Sequence, residues 1–312
     1  MPRFFSPTPL IAAGAALLGA PSLFPTARAQ DLLPASAQPC TLELSTDGSV
    51  DWRGLYGRGY EVFSEGESFE TIMVEIRHSG RACRFYLTGS GTKTLTGGGD
   101  QLAFDLLDQP NGRSILSPDY LGTPSSQIEG AFGDGTGVQT SPIQLSIPSG
   151  QFVRGGLYRG QVLLRLFRQD DAMPVLAAET PLAIISPVAS AMRIRSDIFA
   201  GGAHESSIDL GSLSDGVDRR VDFEIQTNAS IDVTVESAHR GKLAHPYGAP
   251  GIAYELSLDG QRLSLDAPST LRLNPAASRG DFDTELAIRV APQPNAAAGR
   301  YSDSLTLTFT AN

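Results

Sequence analysis

The chain has 312 residues with 24 Lys and Arg against 34 Asp and Glu, a formal net charge of −10, and only four His and two Cys. That charge argues against nucleic acid or an anionic membrane as the main partner, since both are held by clustered Lys and Arg. So few His and Cys leave little material for a structural zinc site. The 33 glycines and 21 prolines exceed the roughly 12% of an average chain. They favour a turn-rich globular protein, long enough for about two buried cores.

Arg3 is followed by the apolar stretch Leu10–Leu18, then Pro21, Pro25 and Ala27-Arg28-Ala29. This is the charged, apolar, small-x-small order of a secretory signal, so residues 1–29 read as a signal peptide cleaved before Gln30. The apolar stretch is about half of the ~20 residues a spanning helix needs, and no later segment approaches that length. The product is therefore expected to be exported and released. Export changes the reading of Cys40 and Cys83, because an even pair in an oxidising compartment defaults to one disulfide. It would close a loop of about 43 residues, worth on the order of 3–4 kcal/mol in the chain-entropy model. A free nucleophilic thiol is the alternative.

Beyond Cys40, strand patterns dominate. Glu70–Arg77 is rich in β-branched residues and sets Ile72, Val74 and Ile76 on one face. Arg84–Thr88 and Leu102–Leu107 follow, bounded by turn formers. Gly97-Gly98-Gly99-Asp100 and Pro110-Asn111-Gly112 read as turns. Pro142–Pro148 alternates strictly, with Ile143, Leu145 and Ile147 on one face. In the second half Val221–Ile225, Ile231–Val235, Tyr254–Leu258, Leu263–Leu265, Glu285–Val290 and Leu305–Phe309 are short and mostly alternating. After the signal segment no window of about a dozen residues holds a 3.6-residue apolar period. Short strands separated by frequent turns predict an all-β sandwich or barrel.

An internal repeat sets the number of domains. Gly156-Leu157-Tyr158, followed by Val162, Leu164 and Leu166 at period two, aligns without gaps to Gly299-Arg300-Tyr301, followed by Leu305, Leu307 and Phe309. Each copy follows a polar turn, Pro148–Gln151 in one and Pro292–Asn295 in the other. The glycine admits the backbone of the turn, the tyrosine covers the core edge, and the alternating residues form a half-buried strand. Between the copies, a connector from Arg168 to about Ala191 opens with Gln169-Asp170-Asp171. It carries Pro174, Pro181 and Pro187 around the apolar runs Val175–Ala178 and Leu182–Ile185. It is too apolar for a flexible linker, so at least one run is expected to be a strand of the first domain.

The strand motif, fullest in Ala298–Phe309 with Asp303 two residues after Tyr301, resembles the spore coat protein U domain. That domain also occurs in subunits of archaic chaperone–usher pili. The stretch from Pro148 through Gly150 and Gln151 to Gly156 and Tyr158 is similar to the family's turn before the same strand. It departs at Gly160, where the second copy has Asp303, so a role for that aspartate need not hold in both. Cys40 near the mature start, paired with Cys83, is also similar to the family's early disulfide. The resemblance implies two tandem immunoglobulin-like β-sandwiches, the second lacking its final strand. These would span residues 30–185, with a connector strand at about 172–185, and residues 186–312.

The resemblance also implies partners. A sandwich missing a strand exposes a reactive sheet edge, filled first by a periplasmic pilus chaperone, handed on at an outer-membrane usher, and then filled by a neighbouring pilin's donor strand. A donor arm needs roughly 10–15 residues of alternating apolar character, whereas Gln30–Pro39 offers two prolines and one Leu-Leu pair. A chain that accepts a strand but hardly donates one belongs at the end of a fibre, and the family's tip adhesins pair an adhesive N-terminal domain with a C-terminal pilin domain. The expected route is through the periplasm to a cell-surface fimbrium that contacts abiotic or host surfaces and supports biofilm. The alternative is a self-complete secreted or periplasmic carbohydrate-binding sandwich.

Catalytic chemistry has little support. His78, His204, His239 and His245 lack metal-ligand spacing and read as surface or turn residues. Asp170-Asp171 and Asp281/Asp283 read as solvated charge in polar loop sequence, with nothing to fix a catalytic pair. There is no G-x-S-x-G and no phosphate loop, so no enzyme activity, cofactor or metal is expected. Asn228-Ala229-Ser230 fits a glycosylation acceptor pattern. An adhesive surface would be an exposed apolar loop. The candidates are Tyr120 and Leu121, Phe132, and Leu55 with Tyr56, while the lone Trp52 is expected in the core.

Overall fold

The computed structural model describes residues 38–169, 173–199, 205–273 and 280–312. The expected signal peptide, the segment up to Ser36 and Ala37, Asp170-Asp171 and His204 lie outside these residues. The described residues contain no α-helix; one 3-10 turn, Pro124–Ser126, interrupts the strands.

The first half holds β1 (Thr41–Ser45), β2 (Ser49–Asp51), β3 (Phe69–Gly80), β4 (Cys83–Ser90), β5 (Thr94–Gly97), β6 (Asp100–Ala103), β7 (Asp105–Asp108), β8 (Arg113–Ser114), β9 (Ile128–Phe132), β10 (Gly135–Ser146), β11 (Gly156–Gln169) and β12 (Pro174–Val188). The second holds β13 (Met192–Arg195), β14 (Val217–Thr227), β15 (Ile231–Ser237), β16 (Lys242–Leu243), β17 (Ile252–Leu258), β18 (Gln261–Leu263), β19 (Ser269–Leu273), β20 (Gly280–Val290) and β21 (Leu305–Ala311).

Each half is a sandwich of two sheets. In the first, one sheet runs β1-β3-β10-β7-β8 and the other β2-β12-β11-β4-β9, with the β5–β6 hairpin on β11. In the second, one sheet runs β13-β14-β20-β17-β16, with β18 on β17, and the other β19-β15-β21. The two orders superpose: β1, β3, β10 and β7 correspond to β13, β14, β20 and β17, and β11, β4 and β9 to β21, β15 and β19. The architecture is two tandem immunoglobulin-like sandwiches.

Alternation builds both cores. Ile72, Val74 and Ile76 on β3, beside Ile143 and Leu145 of the neighbouring β10, share a core with Leu164 and Leu166 on β11 of the other sheet; Val221, Phe223 and Ile225 on β14, beside Leu286 and Ile288 of β20, share one with Val233 and Val235 on β15. Trp52 lies in the first core. Gly98 and Gly99, both at positive φ, turn β5 into β6 as the two central residues of a tight hairpin.

Several expectations are corrected. Leu102–Leu107 is two strands, β6 and β7, because Phe104 leaves the ladder to enter the core. Leu265 is buried but lies beyond β18. Both apolar runs of the connector belong to one 15-residue strand, β12. It continues to Val188 in the first core, three residues past the boundary read at 185. His78 is not a surface residue, because its position on β3 points it inward, where it stacks on Phe132 with ring centroids 4.8 Å apart.

The two sandwiches meet at a polar joint. Asn228 is 5% exposed. Its side chain accepts from Ala191 N at 2.8 Å and donates to Val153 O at 3.1 Å and Ala189 O at 2.9 Å. Its own carbonyl accepts from Gly155 N. Beside it the Arg193 guanidinium lies 4.4 Å from the Phe63 ring centroid and donates to Phe63 O.

Candidate functional site

The repeated motif has the same local structure twice. Gly156 and Gly299 sit at φ +142° and +149°, a region L side chains seldom adopt. Two residues on, Tyr158 donates to Arg154 O at 3.0 Å and Tyr301 to Ala297 O at 3.2 Å. A tyrosine that bonds back to the backbone just upstream marks the start of the sixth strand of an immunoglobulin-type sandwich. β11 and β21 are thus the same strand of two sandwiches.

Their surroundings differ on one side. β11 pairs β4 on one edge and, from Gly156↔Val188 to Gln169↔Pro174, β12 on the other. β12 delivers Leu182, Ile184 and Val188 to the core, and Val162, Leu164 and Leu166 of β11 are fully covered. β21 pairs only β15, from Leu305↔Ser237 to Ala311↔Ile231, and no described residue pairs its other edge. The equivalent side chains, Leu305, Leu307 and Phe309, pack against the second core but remain partly exposed. Ile194, Ile208 and Leu210 are in the same condition. The result is a row of free backbone groups beside a stripe of half-covered apolar side chains, which together fit an extended strand with alternating residues.

The beginning of β21 is anchored. Asp303, its side chain 3% exposed, accepts from Ser237 Oγ and Tyr254 OH at 2.6 Å each, from Ser304 N at 2.8 Å, and from His239 N at 3.0 Å and Nδ1 at 2.9 Å. Burial raises the pKa of this carboxyl, but the donors outweigh it and hold it below the usual carboxylate range. Burial and the neighbouring carboxylate push the Tyr254 hydroxyl well above its ordinary value. Ser237, His239 and Asp303 are the residue types of a hydrolytic triad, yet both Ser237 and His239 bond the carboxylate. The hydroxyl is not presented to the imidazole, and Ser237 is buried. The group fixes β21 in place.

The first sandwich offers a different surface. β11 leaves the joint at Gly156 and stays paired with β12 as far as Gln169↔Pro174, roughly 40 Å away at about 3.3 Å per residue. At that distal end Met173 is 70% exposed, and Val175 and Leu176 are exposed beside it. Tyr120 lies over the same end of the sheet. It is half exposed, its ring under the Arg165 guanidinium at 4.5 Å and edge-on to Phe167 at 5.7 Å. Leu121 is exposed next to it.

The other sequence candidates are placed elsewhere. Phe132 turns inward, stacked on His78 and Phe85, because β9 pairs β4 at Phe132↔Cys83 and points the ring at the core. Leu55 and Tyr56 are exposed, but their loop is pinned at the joint by Trp52 N to Ile185 O and Tyr60 N to Pro187 O. Cys40 and Cys83 form a disulfide. The apolar end at Met173, Val175 and Leu176 is not among the sequence candidates, although Val175–Ala178 reads as an apolar run. Its pattern marks a strand without saying that this end of the strand, though paired to β11, stays exposed on both faces.

Neither a protein-family model nor a curated protein matches the sequence. Among solved structures, the chain is similar to the CsuC–CsuE chaperone–tip adhesion subunit pre-assembly complex of Acinetobacter baumannii, at 13% identity and TM-score 0.43, covering 86% of this chain and 99% of that one. It is also similar to the CupB6 tip adhesin of Pseudomonas aeruginosa, at 12% identity and TM-score 0.37, covering 86% and 92%. CfaE, the adhesive subunit of CFA/I fimbria of enterotoxigenic Escherichia coli, is similar at 13% identity and TM-score 0.38, covering 86% and 81%. At scores this low the likeness carries no functional argument.

Proposed function

We propose that the chain is an exported subunit of a chaperone–usher-type surface fibre, acting as a two-domain tip adhesin. The first domain, ending with β12, contacts a surface, and the second accepts a donor strand. One observation carries the reading: β11 is closed by β12, while the equivalent strand β21 has one edge unpaired among the described residues. The signal-peptide pattern of residues 1–29 and the spore coat protein U resemblance of Ala298–Phe309 support it. The partners that follow are a periplasmic chaperone, an outer-membrane usher and the donor segment of a neighbouring pilin. Contact with an abiotic or host surface would fall to the distal apolar end, where Met173, Val175 and Leu176 are available without unfolding anything.

The test is to append, after Asn312, a short flexible turn and a strand of about a dozen alternating Val and Thr residues. The added ladder and apolar cover should raise the unfolding temperature of the second sandwich by at least about 4 °C, given that 1 kcal/mol moves a domain of intermediate size by about 4 °C, and suppress aggregation. A charged strand of equal length should do neither. A chain that is soluble, monomeric and unchanged by either extension would support the self-complete binding module instead.

A further inference from the structure

The mechanism proposed above does not use His78, yet its placement is unusual. His78 is 4% exposed. Its Nε2 lies 2.9 Å from Arg81 O, and a carbonyl can only accept, so Nε2 carries the proton. In the neutral ring that leaves the lone pair on Nδ1. Nδ1 is buried with no hydrogen-bond partner. The ligand atoms of His78, Cys40 and Cys83 all lie within 4.8 Å of one another. A buried imidazole with its tautomer fixed by a carbonyl on the far nitrogen is the second-sphere arrangement found behind metal-binding histidines.

We propose that the reduced chain, before Cys40 and Cys83 join, holds one Zn²⁺ through Cys40 Sγ, Cys83 Sγ and His78 Nδ1, with water as the fourth ligand. Two thiolates and one imidazole suit this ion, and three protein ligands leave an open position. The site lies where the first sandwich needs a clip. Cys40 immediately precedes β1, His78 sits on β3 opposite Leu42, and Cys83 opens β4. The metal thus ties the start of β1 to the β3–β4 hairpin at the point the disulfide later staples. Closure follows by exchange with a disulfide donor. The two thiolates give up two electrons and form the Cys40–Cys83 bond. The donor's sulfur–sulfur bond breaks and its sulfurs leave as thiols with two protons from water. Zn²⁺ is released.

Full-length protein reduced with a phosphine and titrated with Co²⁺ as a spectroscopic probe should bind one equivalent. It should show thiolate-to-metal charge transfer and the intense visible bands of a tetrahedral ion. C40S should abolish the charge-transfer signature of paired thiolates. H78F, which keeps a ring against Phe132, should weaken binding at least roughly 10- to 100-fold, the loss that an outer-sphere partner alone can cost. Zn²⁺ should also slow closure by oxidised glutathione in the wild type more than in H78F. Zinc-edge absorption on the unsubstituted protein needs no variant to fold. It should give two sulfurs at about 2.3 Å and an imidazole nitrogen at about 2.0 Å. No saturable Co²⁺ signal, equal affinity in H78F, or an edge spectrum without imidazole would each overturn the proposal.

Discussion

Tyr158 and Tyr301 make the same hydrogen bond, hydroxyl to the carbonyl four residues upstream, at 3.0 and 3.2 Å, but one is sealed and the other is not. Tyr158 is fully buried beneath the sheet that β12 completes, and its hydroxyl is pushed up to about 12, mainly by burial. Tyr301 is partly exposed at the head of an edge strand. Removing the hydroxyl should therefore cost unequal amounts. Y158F removes a hydrogen bond made by a fully buried ring and should destabilise the first sandwich by about 1–1.5 kcal/mol, whereas Y301F, with its hydroxyl in an exposed bond, should cost about 0.5 kcal/mol. Trp52, the single tryptophan, lies in the first core. Its fluorescence during urea unfolding should shift for Y158F and stay in place for Y301F.

Much of this was legible in the sequence, for a physical reason. Period-two burial writes itself into residue type, so Ile72, Val74, Ile76 and Ile143 announce β3 and β10. The G-x-Y repeat announces the duplicated strand, because glycine and tyrosine are each required by its backbone and its hydrogen bond. What was not legible depends on neighbours distant in the chain. Nothing local says that His78 faces a disulfide rather than solvent, that Phe132 points inward, or that the Leu55 loop folds onto the joint. The unpaired edge of β21 is an expectation of the family resemblance and not of the strand pattern. Alternation in Leu305–Phe309 looks the same whether its partner is present or not.

The apolar distal end makes a position-specific prediction. M173S, V175S and L176S together should reduce retention on a hydrophobic surface several-fold. L55S with Y56S, equally polar and at similarly exposed sites, should leave it unchanged, since that loop sits at the joint. Adsorption to polystyrene beads at matched concentration reads the difference. Unfolding midpoints should barely move in either variant, because exposed substitutions usually stay within about 0.5 kcal/mol. Equal loss from the three distal sites and from the two at the joint would count against a contact surface at the distal end.

Asp303 ties the stability of the second sandwich to pH. Its carboxyl is held low in the folded chain, so it contributes stability above its ordinary titration range, and that contribution is lost as pH falls through the depressed value. Tyr254 acts oppositely. Its hydroxyl is raised, so its contribution is intact below the ordinary tyrosine value of about 10 and declines as pH rises beyond it. D303N removes the charge and should cost about 1.5–3 kcal/mol at neutral pH, the range for hydrogen bonds to a charged acceptor. The gap from wild type should shrink below about pH 4, where the unfolded carboxylate protonates. Urea midpoints of the second transition across pH 2.5–7, a window chosen around that value, measure it.

Asn228 makes the joint rigid because every polar atom of its side chain is used and each partner lies across a different strand end. Ala191 N donates to Oδ1 while Nδ2 serves Val153 O and Ala189 O. N228A would leave one amide and two carbonyls unpaired in a buried setting, for a cost of about 2–4 kcal/mol. N228D should be worse despite its similar shape, since an ionised oxygen would replace the donor that now faces two carbonyls. Both variants should free residues 189–191, so protease cleavage there should come earlier than in wild type. Small-angle scattering should show a broader range of inter-sandwich distances. The burial that makes Asn228 a joint also removes it as an acceptor of sugar. Expressed through a eukaryotic secretory pathway, the folded chain should yield the unmodified peptide containing Asn228-Ala229-Ser230, and N228D should show no mass difference attributable to a lost glycan. Substantial occupancy at Asn228 would mean that the joint forms after modification or not at all.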